Sequence, residues 1–363
     1  MSSYCIRPAC TQDSAGLLKL LAATAQQGSI RLTFERNPDY FYAAAVSSQR
    51  PEIWVMEKPG HGIIGTFSIG QRRVFINGQP TSVRYGSDLR IHPDFQGGRT
   101  LYRLFGTYRQ QMQNEWMQTV ILDENRASLS TVGSGRNTLP QYLPAGMFTT
   151  WLISLRRKKN IADDPLTHPA RTEDIAEMQA FFDREAASKQ FYPCYDFSRI
   201  GSDDPYYRNI KISDFFILRE HGEITALAGL WDQKDFKQTR ISGYVPLLHH
   251  LRPFYNSLTW LTGHLALPAV NSLNHYQMLH SVVVKNNDPG RFARLLRTLR
   301  KTAQQRNALA LACGFDSRDP LLKIVRRHPG HALKSRNFIA TYQPELVQKL
   351  DLTRLQYPEI SRL

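Results

Sequence analysis

The chain has 363 residues, 42% of them apolar and 21% charged. That is enough to bury sizeable cores, and too long for one ordinary domain of about 150 residues. Four scattered cysteines (Cys5, Cys10, Cys194, Cys313) exclude a disulfide scaffold, and no Cys-x-x-Cys or Cys/His cluster has zinc spacing, so no metal is expected. The opening MSSYCIRPACTQDS lacks the basic and apolar regions of a signal peptide. The longest apolar stretch, Leu258 to Val270, is short and broken by His264 and Pro268. A cytoplasmic protein with no membrane partner is therefore expected, of oligomeric state that the sequence leaves open. The formal charge of +15, of which +9 lies in residues 1–160 and +6 in the rest, favours an anionic partner: nucleic acid, a nucleotide-bearing cofactor or an acidic substrate.

Two halves begin alike. Residues 4–9 read as a strand and residues 12–27 as a helix with Leu17, Leu18, Leu20 and Leu21 on one face. Residues 168–173 likewise lead into a helix over 173–187, so the chain carries a weak internal repeat of roughly 165 residues. Between the halves, Arg156-Arg157-Lys158-Lys159 and the polar stretch to Pro165 read as a linker. The first half continues with strands at 52–57 and 63–69. A hairpin signal follows at Asn77-Gly78, because both residues accept the positive φ of a type I′ turn. Then come a strand ending at His92-Pro93, a helix over 97–116, a strand at 118–123, a short helix at 126–132 and closing strands over 142–155. The second half repeats the rhythm. It has strands at 214–219, 224–231, 238–245 and 279–284, a helix over 291–306, a strand at 308–313, a short helix near 319–327 and a last strand at 336–342. Residues 247–270 read as a helical insertion, and residues 343–363 as a tail.

The segment Asp88-Leu89-Arg90-Ile91-His92-Pro93-Asp94-Phe95-Gln96-Gly97-Gly98-Arg99-Thr100-Leu101 stops a strand at a proline, turns through glycines and starts an amphipathic helix at once. Glycines let backbone approach a ligand, and the first amides of a helix lack internal partners. Together they suit a pyrophosphate, with Arg99 as a charged donor nearby. Here the sequence resembles the GNAT superfamily of acyl-coenzyme A-dependent N-acyltransferases, whose motif runs L-x-V-x-P-x-[YF]-[RQ]-x-x-G-x-[GA]. Leu89, Ile91, Pro93, Phe95 and Gln96 match it, and Gly97 sits where many members carry glycine. Arg99 and Leu101 depart from it, standing where the motif has glycine and glycine or alanine.

The resemblance implies an α/β (α+β) fold of two tandem GNAT-like domains, each a mixed, mostly antiparallel sheet flanked by helices. The bounds it suggests are 1–157 for the domain with the acyl-coenzyme A loop, 158–345 for a degenerate second domain, and 346–363 for a tail. It implies a splay between the strands at Leu89–Ile91 and Val120–Asp123, with pantetheine against the backbone of Leu89 and Ile91. The donor, acetyl-coenzyme A most simply, would be held by Leu89, Arg90, Ile91, Gln96, Gly97, Gly98, Arg99, Thr100 and Asn125. Asn125 reads equally well as the cap of the helix after it.

Attack of an amine on a thioester needs a base, donors at the carbonyl oxygen and an acid for the thiolate. Asp88 is the carboxylate best placed for base. The tyrosine acid that many members carry is missing at Thr131 and Val132, and Tyr142 is the nearest substitute. The second half's matching loop, Lys285 to Arg291, has no opening arginine or glutamine, and Asp288 there opposes a pyrophosphate. That half reads as a non-catalytic partner. Its helix carries Arg291, Arg294, Arg297, Arg300, Lys301 and Arg306, a solvated face or a nucleic-acid surface. The expected activity is acyl transfer to a small-molecule or protein amine, with residues 30–48, including Tyr40 and Tyr42, as helices lining the acceptor cleft. The alternatives are an aminoacyl-tRNA-dependent Fem-type transferase, which the charge suits, and a non-catalytic ligand-binding protein.

Overall fold

The computed structural model describes residues 4–97, 99–112, 115–156 and 164–363. Gly98 and most of the expected linker, residues 157–163, lie outside the described residues, as does the bound between 157 and 158.

The first half runs β1 (Cys5–Pro8), α1 (Ser14–Ala23), β2 (Ile30–Glu35), α2 (Tyr40–Ser47), β3 (Ile53–Lys58), β4 (Gly62–Ser68), β5 (Gln71–Ile76), β6 (Gln79–Ile91), α3 (Arg99–Met112), β7 (Trp116–Leu122), α4 (Arg126–Val132) and β8 (Gln141–Ser154). The second half runs β9 (Thr167–Pro169), α5 (Ile175–Ala186), β10 (Tyr192–Pro193), β11 (Phe215–Glu220), β12 (Glu223–Trp231), β13 (Gln238–Tyr244), α6 (Pro246–Thr262), β14 (Tyr276–Val284), α7 (Pro289–Gln305), β15 (Ala310–Asp316), α8 (Leu321–Val325) and β16 (Gly330–Thr341). Asn77 and Gly78 both take positive φ (52° and 88°) in the β5–β6 turn, as their identities predict. One expected helix is absent. Residues 30–35 alternate Ile30, Leu32 and Phe34 with Arg31, Thr33 and Glu35, the period of a strand, and they form β2.

Fourteen strands form one sheet, in the order β1-β3-β4-β6-β7-β16-β8-β15-β14-β12-β11-β9, with β5 and β10 attached beside β6. The centre is an exchange between the halves. β8 and β16 pair antiparallel along their whole length. The end of β16, Ser335 to Thr341, also pairs with β7 of the first half, while the end of β8, Phe148 to Ser154, pairs with β15 of the second. Each half thus completes its sheet with a strand of the other. Two smaller seams join them again: β2 with β13, and β5 with β10. Cutting between the halves would leave unpaired edges in both, at about 1 kcal/mol per backbone bond lost.

Helices cover the sheet through apolar faces set by their spacing. In α3 Leu104, Phe105, Tyr108 and Met112 are buried, and in α7 Phe292, Leu295, Leu296, Leu299 and Ala303. Each half centres a large core that also takes in residues of the other, such as Val46 and Ile153 in the second and Ala340 in the first, and a third cluster at the seam gathers Val74, Val83, Phe191, Ile339 and Val347. The segment expected to trail as a tail is instead built in. Gln356, Tyr357, Glu359, Ile360 and Arg362 are all buried.

Candidate functional site: an open and a filled strand splay

β6 and β7 run parallel and pair only from Arg84 to Gly86 against Met117 to Thr119. Beyond that point each keeps its outer neighbour. β6 stays with β4 through Ile91 and β7 with β16 through Leu122, so the two strands open into a V. A bulge lies at the mouth of the V. Where Thr66 and Ser68 of β4 face Arg90 and Ser87, one extra β6 residue is inserted, and Asp88 takes φ +51°. The His92 amide donates to Ile64 O at 2.8 Å. By antiparallel alternation Arg90 and His92 therefore face β4, while the backbone of Leu89 and Ile91 faces the opening. The Gln96 side chain folds back to donate to Ile91 O at 3.1 Å and so fixes the turn that follows.

That turn leads directly into α3. Gly97 has φ +78°, a conformation that side-chain-bearing residues avoid, and beyond its chain neighbours nothing among the described residues lies within 4 Å of where its Cβ would be. Arg99 is exposed, and Leu101 packs inward beside Leu104, Phe105 and Tyr108. Neither departure from the motif fills the turn. Thr100 is buried in the first turn of α3.

Asp88 sits behind the opening among cations. Its Oδ2 accepts from Tyr40 Oη at 2.8 Å and pairs with the Arg36 guanidinium at 2.6 Å. Burial works against its charge, but Arg36, Arg90 and the Tyr40 hydroxyl outweigh it and hold the carboxyl below the usual range. A carboxylate so held is a poor proton acceptor. The same cluster contains Lys237, at the start of the second-half seam. Burial and the nearby Arg36 and Arg72 push its ammonium down to about 7, with Asp88 opposing. Its Nζ donates to Leu363 O at 2.6 Å and Ser361 O at 3.2 Å. Lys237 also lines a small cavity of about 130 Å³ with Gln233, Thr239, His275 and Tyr276.

The other sequence-predicted residues fall elsewhere. Arg90 turns away from the turn, and its guanidinium clamps the end of α1 through Thr24 O at 2.8 Å. Asn125 caps α4, its Oδ1 accepting from Ser128 N at 3.1 Å, and its Nδ2 donates to Gln26. Both polar atoms of that side chain are committed. Tyr142 is not brought to the opening. It faces Ala340, level with Met117 and Arg84 on the paired side of the V, and packs edge-on against Phe338. Burial holds its phenol protonated well above the usual range. Arg36, Lys237 and the built-in tail carried no sequence signal toward this site, being single residues far apart in the chain.

The second half repeats the geometry. β14 and β15 pair only from Tyr276 to Met278 against Ala310 to Ala312, then part. The bulge recurs, with Ser281 at φ +52°. Here the opening is filled by the chain itself. Ser281 N donates to Glu359 Oε2 at 2.8 Å, and Val282 N to Tyr357 Oη at 3.4 Å. On the β15 side, Asp316 Oδ2 accepts from Gln356 N at 3.0 Å. Ile360 presses so close to Gly314 that a Cβ there would lie 2.3 Å from it, which is why glycine stands at that position. Arg362, fully buried, donates to Val46 O and Tyr206 O at 2.8 Å and stacks over the Tyr206 ring. The turn is closed too, because Asp288 places its own carboxylate on the Arg291 amide at 2.8 Å. Two arginines of α7 and the one that follows it are ion-paired, Arg291 with Glu220, Arg294 with Asp164 and Glu220, and Arg306 with Asp214.

Parallel strands that part after three residues at a bulge, with a turn into a helix behind, and all of it twice in one chain, agree with what the solved structures show. Yeast (Saccharomyces cerevisiae) N-myristoyltransferase with bound myristoyl-coenzyme A matches with a TM-score of 0.61 at 9% identity, over 94% of this chain and 83% of that one. The chain has the GNAT fold, in tandem. A GCN5-related N-acetyltransferase from Sphaerobacter thermophilus matches at TM-score 0.56 and 12% identity, over 94% and 96% of the two chains. The glucosamine N-acetyltransferase region of a fungal multi-domain β-N-acetylglucosaminidase matches at 0.58 and 11%, covering 38% of that longer chain. No protein-family model matches the sequence, and no curated protein does. At such identities the shared property is the GNAT fold.

Proposed function

We propose that the protein is an acyl-coenzyme A-dependent N-acyltransferase that works through its first half alone. One observation carries the reading. Among the described residues, the first splay has its glycine turn clear and its β6 edge reached only by Gln96 Nε2, at Ile91 O, while the second is filled by residues 356–362. The pyrophosphate would rest on the turn after Phe95 and the first amides of α3, with the exposed Arg99 beside it. The pantetheine arm would lie along Leu89 and Ile91 as an added strand.

In the reaction the acceptor amine attacks the thioester carbonyl, forming the C–N bond as the C–S bond breaks and the thiolate leaves. The amine must first be neutral. Asp88, ion-paired with Arg36, is placed to orient and stabilise; Lys237, with basicity near neutrality, is the group suited to take the proton. Acetyl is the simplest acyl group. Support for a thioester donor in general comes from the fold's neighbours, one of which holds myristoyl-coenzyme A.

The test is release of free thiol from a series of acyl-coenzyme A donors, acetyl to myristoyl, across a panel of amines. Thiol release that requires both substrates and disappears in Gly97→Asp, while Gly290→Asp retains it, is the expected result. Donor binding with no release for any amine would leave a binding protein.

A further inference from the structure

The insertion helix α6 is held by one side only. Leu248 and Tyr255 join Ile241, Tyr244 and Leu267, Asn256 bonds the backbone of Leu267 in both directions, and Arg156 donates to Thr259. The other side is apolar and bare. Leu247, Leu251, Phe254, Leu258 and Leu261 recur at alternating spacings of four and three, which places them in one stripe along the helix. They are 71%, 49%, 67%, 41% and 52% exposed, and Trp260 of the same helix is 72% exposed. Single exposed apolar residues are ordinary; six on one helix of a protein with large buried cores are not.

Charge decides what fits there. From Ile241 through Asn287 the sequence has no acidic residue. Basic groups predominate along the helix. They are Arg252 within it, Arg156 against Thr259, and Arg31, whose guanidinium lies 2.7 Å from where a Cβ on Gly243 would be. A second copy docking through this stripe would set those cations against their like; the nearest carboxylates are Glu124, bonded to Ser29 N beside the α6 N-cap, and Glu35, already paired with Arg240. A convex helix also offers no groove for a peptide. A hydrocarbon stripe edged by cations on a chain of charge +15 instead matches a bilayer surface carrying anionic lipid.

We propose that α6 seats the protein on an anionic phospholipid surface, with the stripe in the boundary between headgroups and acyl chains. No helix among the described residues is long and apolar enough to cross a membrane, so this is attachment by one face. It replaces the expectation of no membrane partner, which rested on the lack of a spanning segment. The proposal is independent of the acyltransfer reading.

The probe is co-sedimentation of the full chain with phosphatidylcholine vesicles, with and without phosphatidylserine. Binding only to the phosphatidylserine vesicles, weakening with salt and dropping at least ~10-fold in a Leu251→Glu/Phe254→Glu double variant, is expected. These side chains are exposed, so the variant should keep the wild-type melting temperature, and that measurement guards against misfolding. The proposal is overturned if the wild type stays in the supernatant. It is equally overturned if the double variant sediments as well as wild type, or if the stripe instead drives a concentration-dependent dimer that the double variant abolishes.

Discussion

The two splays share a backbone and differ in what occupies them. In each, two parallel strands pair over three residues and part at a bulge whose extra residue, Asp88 or Ser281, has positive φ. Parting strands leave amides and carbonyls that must find partners or water. The second half satisfies two of its amides with Glu359 and Tyr357, holds Gln356 N on the Asp316 carboxylate, and caps its helix with Asp288. In the first half Gln96 takes Ile91 O, and on the proposed reading a ligand takes the rest. One backbone geometry thus occurs twice, once with its opening filled by residues 356–362 of the chain and once without such a filling segment among the described residues.

The comparison breaks first at the glycine turns. Gly97→Asp forces a side chain into positive φ and sets a carboxylate where the proposed diphosphate would rest. Donor affinity should fall at least ~100-fold, about 3 kcal/mol by calorimetry, whereas Gly290→Asp should leave it unchanged. Next in size is the filled opening. Arg362→Met strands the carbonyls of Val46 and Tyr206 in the interior, at roughly 1–3 kcal/mol each, and should lower the denaturation midpoint without changing donor affinity. A larger loss of donor affinity than of stability would mean the second opening serves the ligand after all.

The cluster that joins the openings sharpens the contrast through pH. If neutral Lys237 accepts the amine's proton, kcat should rise as pH climbs through about 7, and Lys237→Met should lose that limb. The sign for stability follows from the same depression below the ordinary lysine value of 10.5. The burial penalty is full below about pH 7 and eases as pH rises, so Lys237→Met should gain more stability at pH 6 than at pH 9. The smallest expected effect is Asp288→Ala, a lost helix cap of about 1 kcal/mol with no gain in donor binding, because Tyr357 and Glu359 still fill the opening.

Local chemistry made much of this legible in the sequence. Asn77-Gly78 announced its hairpin, and the apolar faces of α3 and α7 followed from spacing. The run from Leu89 to Gln96 marked strand, turn and helix, and with the repeat it pointed to a doubled GNAT fold. What stayed hidden was non-local. Nothing in β16 says that it pairs with β7, more than 200 residues earlier, since an apolar strand is compatible with any edge of matching pattern. Asp88 looked like a base because its partner Arg36 sits on another element. The run from Tyr357 to Arg362, read as tail, has no helical or strand period; its burial depends on an opening that only the assembled second half creates. Residues 30–35 were misread because their alternation is short and lies between two helices.

The most direct test is a crystal structure of the protein with coenzyme A. Density for the diphosphate on the amides after Phe95, with the pantetheine arm beside Leu89 and residues 356–362 still in the second opening, is the expected outcome. Ligand in the second opening with those residues displaced, or a first opening left bare at saturating ligand, would contradict the account.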